Sequence, residues 1–109
     1  MPSPQGVKVL HNATGAASNG SPLYFSGGNH VSIQLSGTWA GTVTFEGTID
    51  GTNFVAIPFS NIAGTSATTA TANDIYRITN VLALSAVRAR FSTYTSGALT
   101  AWALATSNS

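Results

Sequence analysis

Cysteine is absent from the chain, so neither a disulfide nor a thiolate metal site can form. Charge is nearly as scarce. Lys8, Arg77, Arg88 and Arg90 stand against Glu46, Asp50 and Asp74, 6% of 109 residues. A globular domain carries about 25%. A formal net charge of +1 excludes nucleic-acid binding through a dense basic patch, which needs several cations to displace phosphate counterions. No apolar run approaches the roughly 18 residues of a membrane span, so no membrane partner is expected. The start, Met-Pro-Ser-Pro-Gln-Gly, has neither the basic residues nor the apolar stretch of a signal peptide. The expectation is a chain that does not use that export route. Helical periodicity is missing too, since no long segment places apolar residues at i, i+3, i+4 and i+7.

What remains is apolar and polar without charge. Hydrophobic residues are 43% of the chain, which argues against disorder. The polar part is 15 Thr, 13 Ser, 11 Gly and 8 Asn. Such a surface offers little repulsion between copies, and near-zero charge favours association. A Thr-rich β protein selected for strand propensity explains the same composition. The length suits one domain with one modest core.

Alternation with period two recurs along the chain. Residues 1–21 are rich in Pro, Gly, Ala, Ser and Asn and read as an extended arm, with one short apolar run at Val7, Val9 and Leu10. That run could add an edge strand to its own sheet or to a neighbour's. The β-sandwich domain is expected over 22–109. Val31, Ile33 and Leu35 alternate with Ser32, Gln34 and Ser36; Val43 and Phe45 alternate with Thr42, Thr44 and Glu46. Asp50-Gly51 predicts a two-residue hairpin turn joining 42–49 to 53–59, with Pro58 marking an edge or a bend. Residues 60–74 read as a long loop. Strands follow over 75–81 and from Val87 to Phe91, and Ser96-Gly97 predicts a hairpin into 99–106. The sum is an all-β, antiparallel β-sandwich, jelly-roll-like, of about seven or eight short strands.

Catalytic groups are thin. The two histidines, His11 in the arm and His30 at a strand start, have no nucleophile motif beside them and no ligands at metal spacing. Both read as surface or interface residues. Glu46 and Asp50 are the one carboxylate pair in reach, but four residues of strand separate them by about 13 Å. Glycosidases need about 5–9.5 Å. Gly27-Gly28 lacks the Lys-Ser/Thr of a phosphate loop. No catalytic, metal or cofactor site is expected. Candidate interface residues are Val7, Val9, Leu10, Trp39, Arg77, Arg88, Arg90 and Tyr94. The arginines fall on the non-core faces of their strands, and Arg is enriched at interfaces. They could equally pair with Glu46 and Asp74 on a solvated face. Trp39, between Gly37 and Gly41, reads as a cap on the core or a stacking platform. Tyr94 shares the alternation of Arg88 and Arg90 and is expected on their face.

Three motifs stand together: Ser36-Gly-Thr-Trp-Ala-Gly-Thr-Val43, the Asp50-Gly51 turn, and Arg88-Ala-Arg90 in a strand closed by Ser96-Gly97. Across 31–59 and 75–106 they resemble small β-sandwich structural proteins and modules of tailed-bacteriophage virions. The resemblance implies a non-enzymatic virion protein made in the host cytoplasm. The decoration or cement proteins of that group sit on the capsid as trimers of jelly rolls. Implied partners are the chain itself, as a homotrimer, and the major capsid protein or other virion proteins. The alternative is a tail, neck or fibre component, including a receptor- or carbohydrate-binding module. Glycan binding belongs to that alternative alone.

Overall fold

The structure is a computed structural model that describes residues 8–24, 30–78 and 85–106. Among the described residues eleven strands follow in order: β1 (Lys8–Thr14), β2 (Leu23–Tyr24), β3 (His30–Ser36), β4 (Trp39–Thr48), β5 (Val55–Ala56), β6 (Phe59–Ser60), β7 (Ser66–Ala67), β8 (Thr69–Ala70), β9 (Asp74–Ile78), β10 (Ala86–Gly97) and β11 (Leu99–Thr106). They form a six-stranded sheet, β1-β11-β3-β9-β6-β7, and a five-stranded sheet, β2-β10-β4-β5, with β8 also paired to β4. Every pairing is antiparallel. The expected all-β sandwich is thus the observed architecture.

The core lies between the two inner faces. Ile33, Leu35, Leu99 and Ala101 face it from the six-stranded sheet; Val43, Phe45, Val87, Ala89 and Phe91 face it from the other, all at 0–1% exposure. Phe45 ties the layers by stacking on Phe59 at 4.8 Å and tilting against Tyr76 at 5.0 Å. Tight packing of this kind drives the fold, because each large apolar side chain removed from water contributes about 1.5–3 kcal/mol.

Several local expectations change. The strand count exceeds seven or eight because 53–59 and 60–74 break into two-residue strands that pass between layers. Val55–Ala56 pairs with β4, and two residues later Phe59–Ser60 pairs with β9. Pro58, without an N–H, marks that corner. The segment read as a long loop places β7 on one sheet and β8 on the other. Asp50-Gly51 does not form a two-residue turn. The Asp50 carboxylate accepts the backbone N–H groups of Thr52 and Asn53 at 2.8 Å, and this Asx-type turn lengthens the connection to residues 49–54. Ser96-Gly97 turns the chain, yet β10 and β11 enter different sheets. Gly97, at φ +84, allows it: a Cβ there would collide with the Thr38 carbonyl.

The sandwich begins inside the expected arm. β1 forms the edge next to β11, and a bulge between Val9 and His11 gives it one extra residue. Two successive side chains, Leu10 and His11, therefore point inward. Leu10 is 3% exposed in this chain's own core, so the edge strand is added to its own sheet. Val7 lies outside the described residues.

Candidate functional site

The outer face of the five-stranded sheet carries three of the seven charges. Register places Arg88 directly opposite Glu46, with Arg90 two residues on. Arg88 Nε donates to Glu46 Oε1 at 2.7 Å and Arg90 Nε donates to Oε2 at 3.0 Å. Glu46 is only 6% exposed. Phe54 covers the Arg88 guanidinium, whose Cζ lies 3.9 Å from the ring centroid. Beside this triad, Thr44 and Ser92 share a hydroxyl bond at 2.8 Å, and Ser92 donates to the Thr42 carbonyl. The polar groups of this face satisfy one another. Of the two alternatives for Arg88 and Arg90, the ion-pair network describes their geometry. Asp74 is not part of it, since its Oδ1 accepts the Ile75 N–H.

The second cluster lies at one end of the sandwich. Trp39 is half-buried and packs edge-on against Phe91 at 5.6 Å. Its indole N–H donates to Asn73 Oδ1 at 2.6 Å, and Asn73 Nδ2 donates to the Gly37 carbonyl. Trp39 thus caps the core, the first of its two expected roles. Tyr94 does not share the face of Arg88 and Arg90. A bulge between Phe91 and Thr93 inserts a residue and reverses the alternation. Tyr94 then stands opposite Gly41, with its ring 5.7 Å from Phe91.

His11 is buried at 2% exposure, not at the surface. The inward bulge of β1 is the cause. Its Nε2 lies 2.6 Å from the Ala89 carbonyl and its Nδ1 lies 3.0 Å from Thr14 Oγ1. A carbonyl only accepts, so Nε2 carries the proton and Nδ1 accepts from the Thr14 hydroxyl. Residues 15–22 run over this ring. Ser18 exchanges both backbone bonds with Phe91, and Leu23 pairs with Val87. The imidazole fills the gap between these two pairings and serves Ala89 in place of a strand N–H. Gly20, at φ +70, fits against it; a Cβ there would lie 2.6 Å from Nε2. Burial lowers the His11 pKa from its ordinary 6.5, partly offset by the Ala89 bond. A hydroxyl and an imidazole do meet here, but the ring is sealed from solvent. The His30 side chain lies outside the described set. Asp50 sits in its loop, where the backbone N–H groups of Asn53 and Thr52, then the side chains of Asn53 and Thr48, hold its carboxyl well below the usual range.

The outer face of the six-stranded sheet is of a different kind. Register aligns Val9, Trp102, Gln34 and Ile75 in one row across β1, β11, β3 and β9. The next row is Leu104, Ser32, Arg77 and Ser60. Val9 is 45% and Ile75 41% exposed, while Trp102 and Leu104 are half-buried. A groove of about 480 Å³ is lined by Ser32, Gln34, Ile75, Trp102, Ala103 and Leu104. Of the expected interface residues, Val9 and Arg77 lie on this face, three strands apart and outside the groove lining. Trp102 and Ile75 were not among the candidates. The signal was present: Leu99, Ala101 and Ala103 alternate inward, which sends Trp102 and Leu104 outward.

No protein-family model matches the chain, and no curated protein matches it in sequence. Two solved structures share its fold. The PBSX exported protein XepA superposes with a TM-score of 0.83 at 20% identity, over 91% of this chain and 36% of XepA. The SPBc2 prophage-derived protein YomS superposes with a TM-score of 0.76 at 12% identity, over 92% of this chain and 91% of YomS. The chain spans about a third of the first and nearly all of the second. At these identities the likeness is one of fold.

Proposed function

We propose that this chain is a non-enzymatic structural protein of a phage particle, acting as a capsid decoration or cement protein that stabilises the head through contacts between subunits. The observation that carries the reading is the end-to-end fold likeness to YomS, a prophage-derived protein of nearly the same extent. Surface chemistry supports it. The polar surface is rich in Ser and Thr and almost uncharged, and two broad sheet faces suit lateral packing. The one imidazole described is sealed and bonded to a carbonyl, a structural use of that group.

A tail, neck or fibre module, with receptor or carbohydrate binding, is the second reading. XepA favours it, because there this fold occupies 36% of a longer chain. Cryo-EM of particles from the source phage, with the chain labelled, separates the two. Density on the head lattice supports decoration, and density on the tail supports the second reading. Particles without the chain overturn both. Self-association as a homotrimer belongs to the first reading. Sedimentation should then show a species near three times 11.1 kDa, and a monomer on purified particles counts against it.

A further inference from the structure

The two outer faces of the sandwich are built on opposite principles. On the five-stranded sheet, charge meets charge and hydroxyl meets hydroxyl within the chain. On the six-stranded sheet, the row Val9-Trp102-Gln34-Ile75 and its neighbour Leu104 present apolar surface to solvent. The four strands β1, β11, β3 and β9 span roughly 19 by 23 Å at ordinary strand spacing and rise, about 440 Å². Val9, Trp102, Ile75 and Leu104 are the apolar part of that outline, with Ser32, Gln34 and Arg77 between and beside them.

Charge decides what can sit there. Arg77 is exposed in the second row and forms no ion pair among the described residues. The chain has three side-chain carboxylates, and none serves it. Glu46 lies on the other sheet between Arg88 and Arg90. Asp50 is bound within its loop. Asp74 pairs in register with Leu35, which faces the core, and caps the Ile75 N–H. A second copy docked face to face would bring another arginine and no side-chain carboxylate, so the described face is not self-complementary. Covering an arginine without an anion is unfavourable, whereas a carboxylate makes a strong, directional partner. Tryptophan and arginine are also the residue types that dominate binding energy at protein interfaces.

We propose that the outer face of the six-stranded sheet is a docking face for a different protein, one that presents an apolar surface with a carboxylate aimed at Arg77. That this protein is a neighbour in the particle rests on the virion reading above.

The test uses particles assembled with the full chain. Arg77→Glu should lower its occupancy on particles at least tenfold with an unchanged melting temperature, because the Arg77 side chain makes no hydrogen bond or ion pair among the described residues. Arg77→Lys should retain most of the occupancy. A photo-crosslinking phenylalanine analogue at Ile75 should join the chain to a different virion protein. Equal occupancy of the wild type and Arg77→Glu overturns the docking face while leaving the virion reading intact. A crosslink between two copies of this chain overturns the assigned occupant, as does glycan-array binding that Trp102→Ala abolishes. Particles that lack the wild-type chain overturn the virion reading and this occupant together.

Discussion

Acid should weaken this fold well above the range where carboxylates titrate, and His11 is the reason. The ring is 2% exposed, with Nε2–H given to Ala89 and Nδ1 taking the Thr14 hydroxyl. Protonating it buries a cation. No counter-charge is at hand among the described residues. Residues 15–22 contain no titratable side chain. From β11, Leu99, Ala101 and Ala103 face inward; from β10, Val87, Ala89 and Phe91 do so, while Arg88 and Arg90 bond Glu46 on the outer face. The folded-state pKa is therefore lowered from 6.5. The unfolded chain then binds more protons than the folded one below pH 6.5, so stability falls as pH falls through that value. The loss continues until the folded-state pKa is reached. Each pH unit crossed between the unfolded-state and the folded-state pKa costs up to about 1.4 kcal/mol. For a domain of this size that lowers the melting temperature by about 6 °C per unit.

The assay is urea denaturation at pH 7.5, 6.5, 5.5 and 5.0 in a His30→Gln background, which leaves His11 as the single imidazole. His11→Gln serves as the comparison, since its amide can still donate to Ala89 and does not titrate. It should remove the slope above pH 5. Asp50 contributes in a separate window. Its lowered pKa gives stability that is present above pH 3.8 and lost as pH falls below it. A flat profile for the His30→Gln protein from pH 7.5 to 5.0 would refute the reasoning, as would an equal slope in His11→Gln.

Three further outcomes follow from the same packing. Glu46→Gln leaves Arg88 and Arg90 together without an anion and should cost about 3 kcal/mol in chemical denaturation; the low end applies because the Arg90 side chain is 36% exposed. No change in the midpoint would mean that the triad is worth no more than a surface pair. Gly41→Ala sets a Cβ against the Thr93 carbonyl and 2.8 Å from the Phe91 ring, at φ +147. Backbone must move, so it should melt markedly lower than Gly51→Ala, whose added Cβ meets nothing within 4 Å; equal melting temperatures would count against the bulge geometry. Leu10→Ala should cost about 2–5 kcal/mol in the isolated protein, as a core truncation does, and a midpoint within error of the wild type would take β1 out of the core.

Period-two alternation made the layers legible wherever a strand keeps its phase. Val31, Ile33 and Leu35 are buried as the pattern requires, and so are Val43, Phe45, Val87, Ala89 and Phe91. Arg77 points outward for the same reason. The failures cluster where an extra residue enters a strand. One bulge turns His11 inward from a segment that reads as a polar arm, and another moves Tyr94 from the arginine face to the side of Phe91. A bulge is fixed by the partner strand, so nothing local announces it. Turn residues were legible as turns but not as destinations. Gly97 bends the chain as expected, yet whether the next strand pairs back or crosses to the other sheet depends on Thr38 and Ala98 sixty residues apart.

That limit bears on the candidate faces. Arg88 and Arg90 read equally as interface cations or as partners of Glu46, because Glu46 stands 42 residues from Arg88 in sequence and meets them only through the β4–β10 register. Trp102 was passed over because it sits singly among alanines and threonines. Its apolar neighbours Val9 and Ile75 stand 93 and 27 residues away in sequence and join it only when four strands align. An interaction face on a sheet is a set of rows running across strands, whereas a sequence lists residues along them. Charge is the part that survives the change of direction, because three carboxylates can be followed one by one. Once each is placed, Arg77 is left without a side-chain carboxylate of its own among the described residues. The proposal of a different protein on this face rests on that accounting.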